Sequence, residues 1–95
     1  MINESAFHDA SLETITLDWP NGTVELQLKT AKGLCFIRGF GVTRLLCPRV
    51  QEWGPSISIN QIRTPRNVGD QFLLEIEMQS GDVVQVQASG FETEC

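Results

Sequence analysis

Two stretches of this chain alternate apolar and polar residues on both sides of a short glycine-containing turn. Residues 13–29 read ETITLDW-PNG-TVELQLK, and residues 71–88 read QFLLEIEM-QSG-DVVQVQA. A period of two puts alternate side chains on opposite faces of a strand, so each stretch is a β-hairpin with one face for a core and one for solvent. In the first, Asn21-Gly22 suits a two-residue type I′ turn, in which both central residues need positive φ. That turn sets Trp19 opposite Val24, Leu17 opposite Leu26 and Ile15 opposite Leu28, all on one face. A slip of one residue would turn Val24, Leu26 and Leu28 into water. In the second, a two-residue Ser80-Gly81 loop would set Val83, Gln85 and Gln87 against the apolar row. A three-residue loop, Gln79 to Gly81 with Gly81 left-handed, sets Ile76 opposite Val84 and Leu74 opposite Val86 and is the expected form.

Between the hairpins, Thr30 to Gly33 reads as a turn. The apolar LCFIRGFGVTRLLCP that follows is interrupted at Gly39 and Gly41, which marks one long bent strand or two strands turning a barrel corner. Ile57, Ile59 and Ile62 suggest a short strand between the Gly54-Pro55 break and a Pro65 to Gly69 loop. Near the start, NESAFHDA has room for one helical turn capped by Asn3 or Ser5. The expectation is a single domain over residues 1–95, all-β or β-dominated, of about six antiparallel strands in a small barrel or rolled sheet, with at most one short N-terminal helix.

Charge narrows the partners. With 12 acidic against 7 basic residues the net charge is -5, the wrong sign for phosphate backbones or anionic lipid headgroups. Nucleic acid and membrane surfaces are therefore not expected partners, and a basic protein is. The opening residues have neither a basic region nor a continuous apolar run of the secretory kind, which points to a cytoplasmic address. Three cysteines, Cys35, Cys47 and Cys95, cannot all pair within the chain, so reduced thiols are expected, with Cys35 and Cys47 buried and Cys95 exposed.

Few residues offer chemistry. His8-Asp9 is an imidazole beside a carboxylate, as a general base and its orienting partner would be, but no glycine-flanked serine accompanies it. The competing reading is a backbone hydrogen bond at the start of the fold. The three cysteines with His8 amount to a Cys3His set, yet their spacing has no Cys-x-x-Cys knuckle, so neither metal nor cofactor is expected. Arg38 and Arg44 would bind an anion together if they shared an outer face; otherwise such arginines pair across strands with Glu25, Glu75 or Glu77. Trp53-Gly54-Pro55-Ser56 places a tryptophan in a loop, either closing the end of the core or serving as a binding anchor. The candidate partner-binding residues are thus Trp53, Ser56, His8, Asp9 and Arg44, with no catalytic residue among them.

At FHDASLETITLDW, GFGVTRL and EWGPSISIN the chain resembles a class of small uncharacterised bacterial proteins that open with His-Asp-x-x-Leu and carry a Trp-Gly-x-Ser segment in mid-chain. In size, charge and the His8-Asp9 opening it is also distantly similar to small acidic immunity proteins encoded beside polymorphic bacterial toxins. That resemblance implies binding and blocking a toxin rather than catalysis. The expected function is a non-enzymatic interaction domain, with an immunity-like inhibitor of a basic toxin or a small-molecule-binding β-barrel as alternatives.

Overall fold

Among the described residues, eight strands follow one 3-10 turn at Glu4–Phe7. They are β1 (Ser11–Asp18), β2 (Thr23–Thr30), β3 (Gly33–Phe40), β4 (Arg44–Leu46), β5 (Ile59–Val68), β6 (Gln71–Met78), β7 (Val83–Ala88) and β8 (Gly90–Glu94). The computed structural model describes residues 4–51 and 56–95, with Ser5 described in its backbone alone. The strands form two four-stranded antiparallel sheets, ordered β1-β2-β3-β8 and β4-β7-β6-β5. The β-dominated class is as expected; about six strands becomes eight, and two sheets stand where a closed barrel was one option.

The apolar rows of both hairpins meet between the sheets. Val24, Leu26, Leu28 and Ile37 come from the first sheet, and Ile59, Ile62, Leu74, Ile76, Val84, Val86 and Ala88 from the second, all buried. Phe7 and Ala10 close one end of this core. Fully burying one such aliphatic side chain contributes about 1.5–3 kcal/mol.

The β6–β7 hairpin has the expected register, with Ile76 opposite Val84 and Leu74 opposite Val86. Gly81 sits at φ 98°, its N–H bonding Met78 O at 2.9 Å while Met78 N–H reaches Asp82 O at 2.8 Å. The β1–β2 hairpin does not: Leu17, not Trp19, faces Val24, and Ile15 faces Leu26. Its loop has four residues, Trp19 to Gly22, closed by Gly22 N–H to Asp18 O at 2.9 Å. Proline is the cause. A two-residue loop would need Pro20 to donate a ladder hydrogen bond, and proline has no N–H, whereas its fixed φ suits the first corner of a longer turn. Asp18 accepts from Asn21 Nδ2 at 2.9 Å and fastens that turn. Parity survives the two-residue shift, but Trp19 leaves the ladder and stands 83% exposed.

Of the two readings of the central apolar segment, the two-strand one holds. β3 and β4 lie in different sheets, and the chain crosses at Gly41, φ 62°. Ser89, where β7 passes into β8, packs against Gly41 and donates its N–H to Phe40 O at 2.8 Å. Two crossings therefore meet at one corner. At another, Leu12 N–H to Ile57 O and Ile59 N–H to Ala10 O, each 2.8 Å, tie the start of β1 to the start of β5. The expected Pro65 to Gly69 loop is instead strand: β5 runs to Val68, and Pro65 lies in a register shift between Arg63 and Arg66 on an edge strand, where a missing donor costs least.

The cysteines also differ from expectation. Cys35 and Cys95 form a disulfide, Cα to Cα 4.1 Å across 60 residues of sequence. Phe36 is paired with Glu94, so these two are the next facing positions on β3 and just beyond β8. Cys35 is buried as expected, but Cys47 is free and exposed, and partial burial pushes its thiol pKa up.

Candidate functional site

The sheets part along the side bounded by the edge strands β1 and β4. Leu17 and Trp19 stand on one lip, Val42, Arg44 and Leu45 on the other, and a shallow hollow of about 190 Å³ lies between them. Further along the same side a second hollow of about 420 Å³ is lined by Leu12 and Ile15 of β1, by Cys47, Pro48 and Arg49 beyond β4, and by Ser56 and Ile57. Leu17, Trp19, Leu46, Val50 and Ile57 are all exposed. The alternating pattern that assigns Leu17 to the core face is correct, but beyond its start, which is tied to Ile57 and Ile59, β1 has a neighbour on one side only, so Leu17 is incompletely covered. A large apolar patch rimmed by polar groups is the usual mark of a contact surface.

Of the residues singled out in the sequence, Arg44 belongs to this side. It is exposed and makes no ion pair among the described residues. Ser56 lines the larger hollow, and its hydroxyl accepts from Ser58 N–H at 3.1 Å, a local turn contact. Trp53 lies outside the described residues.

His8 and Asp9 sit elsewhere, at the junction of the 3-10 turn with β5. His8 Nδ1 lies 2.7 Å from Asn60 O and must carry the hydrogen, because a carbonyl only accepts. Nε2 is then the nitrogen nearest Asp9, at 3.6 Å. In a working triad the carboxylate orients Nδ1 and Nε2 faces the nucleophile. Here the carboxylate occupies the nucleophile's side. Asp9 adopts φ 66°, donates its N–H to Ile59 O at 2.9 Å and accepts from Gln79 Nε2 at 3.3 Å. The pair stitches the N-terminal turn to β5 and to the β6–β7 loop, which is the structural reading of the motif.

Arg38 and Arg44 do not share a face. Arg38 is on the outer side of the first sheet, where Nε donates to Glu25 at 2.9 Å and Nη1 to Glu94 at 3.2 Å, and these bonds push its pKa up. On the second sheet Arg63 lies 3.3 Å from Glu77, and Arg66 lies 3.6 Å from Glu75. Cross-strand pairing accounts for these three arginines. Cys35 and Cys95, joined to one another, are not available together as metal ligands. Trp19 is the residue that sequence reasoning missed, and Pro20 beside it was the available signal.

No family model matches the sequence, and no curated protein does. In fold the chain is similar to an uncharacterized protein from Neisseria gonorrhoeae of known crystal structure, with TM-score 0.73 and 16% identity over 94% of this chain and 93% of that one. At that identity the likeness speaks to the two-sheet architecture alone.

Proposed function

We propose that this domain is a non-enzymatic protein-interaction module whose partner, a basic protein, docks on the open side between β1 and β4 with Trp19 as its anchor. The observation that carries this reading is Trp19 itself, 83% exposed at a hairpin tip beside Leu17 and Val42. Tryptophan is highly buried on average, and tryptophan and arginine are among the residues most enriched at binding hot spots. Arg44 stands across the hollow from it, so the acidic groups that would attract a basic partner are those beside the two hollows, Glu13 and Asp18 of β1. The net charge of -5 supports a basic partner, neither nucleic acid nor membrane.

An immunity-like inhibitor of a basic toxin is the specific form of this proposal that size and charge favour. A ligand-binding barrel is less favoured, because the space between the sheets holds fully buried Leu26, Ile37, Ile62, Leu74 and Ile76, and both His8 and Arg44 are exposed. No catalytic residue, metal or cofactor is part of the proposal. The proposed address is the cytoplasm, where a bond such as Cys35–Cys95 forms only as a transient, redox-responsive one, because lasting disulfides belong to oxidising compartments.

The test is capture of the partner from the source cells on immobilised protein, wild type beside Trp19→Ala. The variant should melt with the parent, since a side chain this exposed lies within about 0.5 kcal/mol of neutral, and should lose the partner. Undiminished capture by a folded Trp19→Ala protein would remove the docking side proposed.

A further inference from the structure

We propose that the Cys35–Cys95 bridge is a redox latch: it holds β8 on the edge of its sheet, and a dithiol reductant releases the strand by opening the bond. β8 is the weakest-held element of the first sheet. It pairs over Phe36–Phe40 of β3 alone, and its other edge faces a groove of about 690 Å³ that separates it from Thr64, Pro65 and Phe72 of the second sheet. Of its side chains only Phe91 packs on the core, lying over Gly39, where a Cβ would come within 3.1 Å of the ring. Glu92, Thr93 and Glu94 are exposed. The Arg38–Glu94 pair is exposed too, and such pairs hold little. Without the bridge β8 retains a short ladder, one aromatic contact and a screened ion pair. These are the marks of a segment that opens locally before the rest of a fold.

The bridge is unequal in access. Cys35 is buried under the sheet and Cys95 is exposed, so an incoming thiolate meets the Cys95 sulfur. Attack there breaks the S–S bond and expels the Cys35 thiolate, which takes up a proton. The second thiol of the reductant then attacks the mixed disulfide, Cys95 leaves as a thiol, and the reductant carries away the two-electron oxidation as its own disulfide. β3 stays paired with β2 at eight positions from Thr23 opposite Phe40 to Thr30 opposite Gly33, so the core does not depend on β8. What release uncovers is the far edge of β3, a row of backbone groups that β8 otherwise pairs.

The experiment compares amide hydrogen exchange of the oxidised protein, the same protein held in dithiothreitol, and Cys95→Ser, with intact mass recording the bridge. Reduction should raise the mass by two hydrogens and speed exchange across Gly90–Glu94 by roughly tenfold or more, with β2 and β6 unchanged. Cys95→Ser should exchange like the reduced protein and ignore the reductant. Free thiols after mild oxidation would overturn the bridge. Unchanged β8 exchange on reduction would overturn the release, and loss of protection throughout the molecule would make the bond a staple of the whole fold instead.

Discussion

Glu4 and Thr64 lie 60 positions apart and meet at a single oxygen. Glu4 Oε2 accepts from the Thr64 hydroxyl at 2.6 Å and from the Thr64 N–H at 2.8 Å. The hydroxyl bond first, then the backbone bond, hold the Glu4 carboxyl below its ordinary pKa, with Arg63 adding a smaller pull. A carboxyl whose folded pKa is lowered stabilises the fold at pH values above its unfolded pKa, and that contribution fades as pH falls through the lowered folded value. Acid should therefore loosen the 3-10 turn from β5 before it touches the core. In a carbon-detected carboxyl titration, Glu4 should titrate below the ordinary glutamate value, and Thr64→Val should move it back up. Identical Glu4 titrations in the two proteins would show that the hydroxyl bond is not the cause. Such a pairing leaves no local trace in sequence. His8-Asp9 has the opposite character: the dipeptide is conspicuous, yet its geometry, with Asp9 left-handed and His8 on a backbone carbonyl, is that of a fastening.

At the scale of elements, the corner where β3 leaves for β4 depends on Gly41. Its φ of 62° disfavours any residue with a Cβ, and that Cβ would run into the Ser89 side chain at the second crossing. Gly41→Ala should cost about 1–3 kcal/mol, read as a lowered midpoint in denaturant with the slope unchanged. A variant as stable as the parent would mean that the two crossings do not lean on each other. Glycines in the apolar run announced this corner, and Gly81 with its parity argument fixed the second hairpin to the residue. The first hairpin lies two residues from the register that Asn21-Gly22 alone predicts, because Pro20 has no N–H to give the ladder. β8 was not legible: Gly90–Glu94 has no apolar alternation, and only its long-range partner β3 makes it a strand. The disulfide follows from that same pairing, so it was hidden with it. Of the candidate site, Arg44 and Ser56 were readable. Leu17 and Trp19 were not, because alternation tells which face a side chain takes and not whether its strand lies at an edge.

For the molecule as a whole, charge and the apolar side should act at different stages of binding. The net charge of -5 is long-range and draws a basic partner in, at a rate that falls as salt shortens the screening length from about 30 Å at 0.01 M to about 8 Å at 0.15 M. Trp19, Leu17 and the lip of β4 touch the partner only once it has docked, so they govern how long it stays. Surface-binding kinetics with the captured partner should show a salt-sensitive association rate and a nearly salt-insensitive dissociation rate. Trp19→Ala should reverse the emphasis: faster dissociation by one hundredfold or so, as an anchor worth about 2–4 kcal/mol requires, with association changed little. An association rate equal at low and high salt would remove the charge argument and leave the apolar side standing. An unchanged dissociation rate in Trp19→Ala would do the converse, leaving an acidic surface that attracts its partner and a docking side yet to be located.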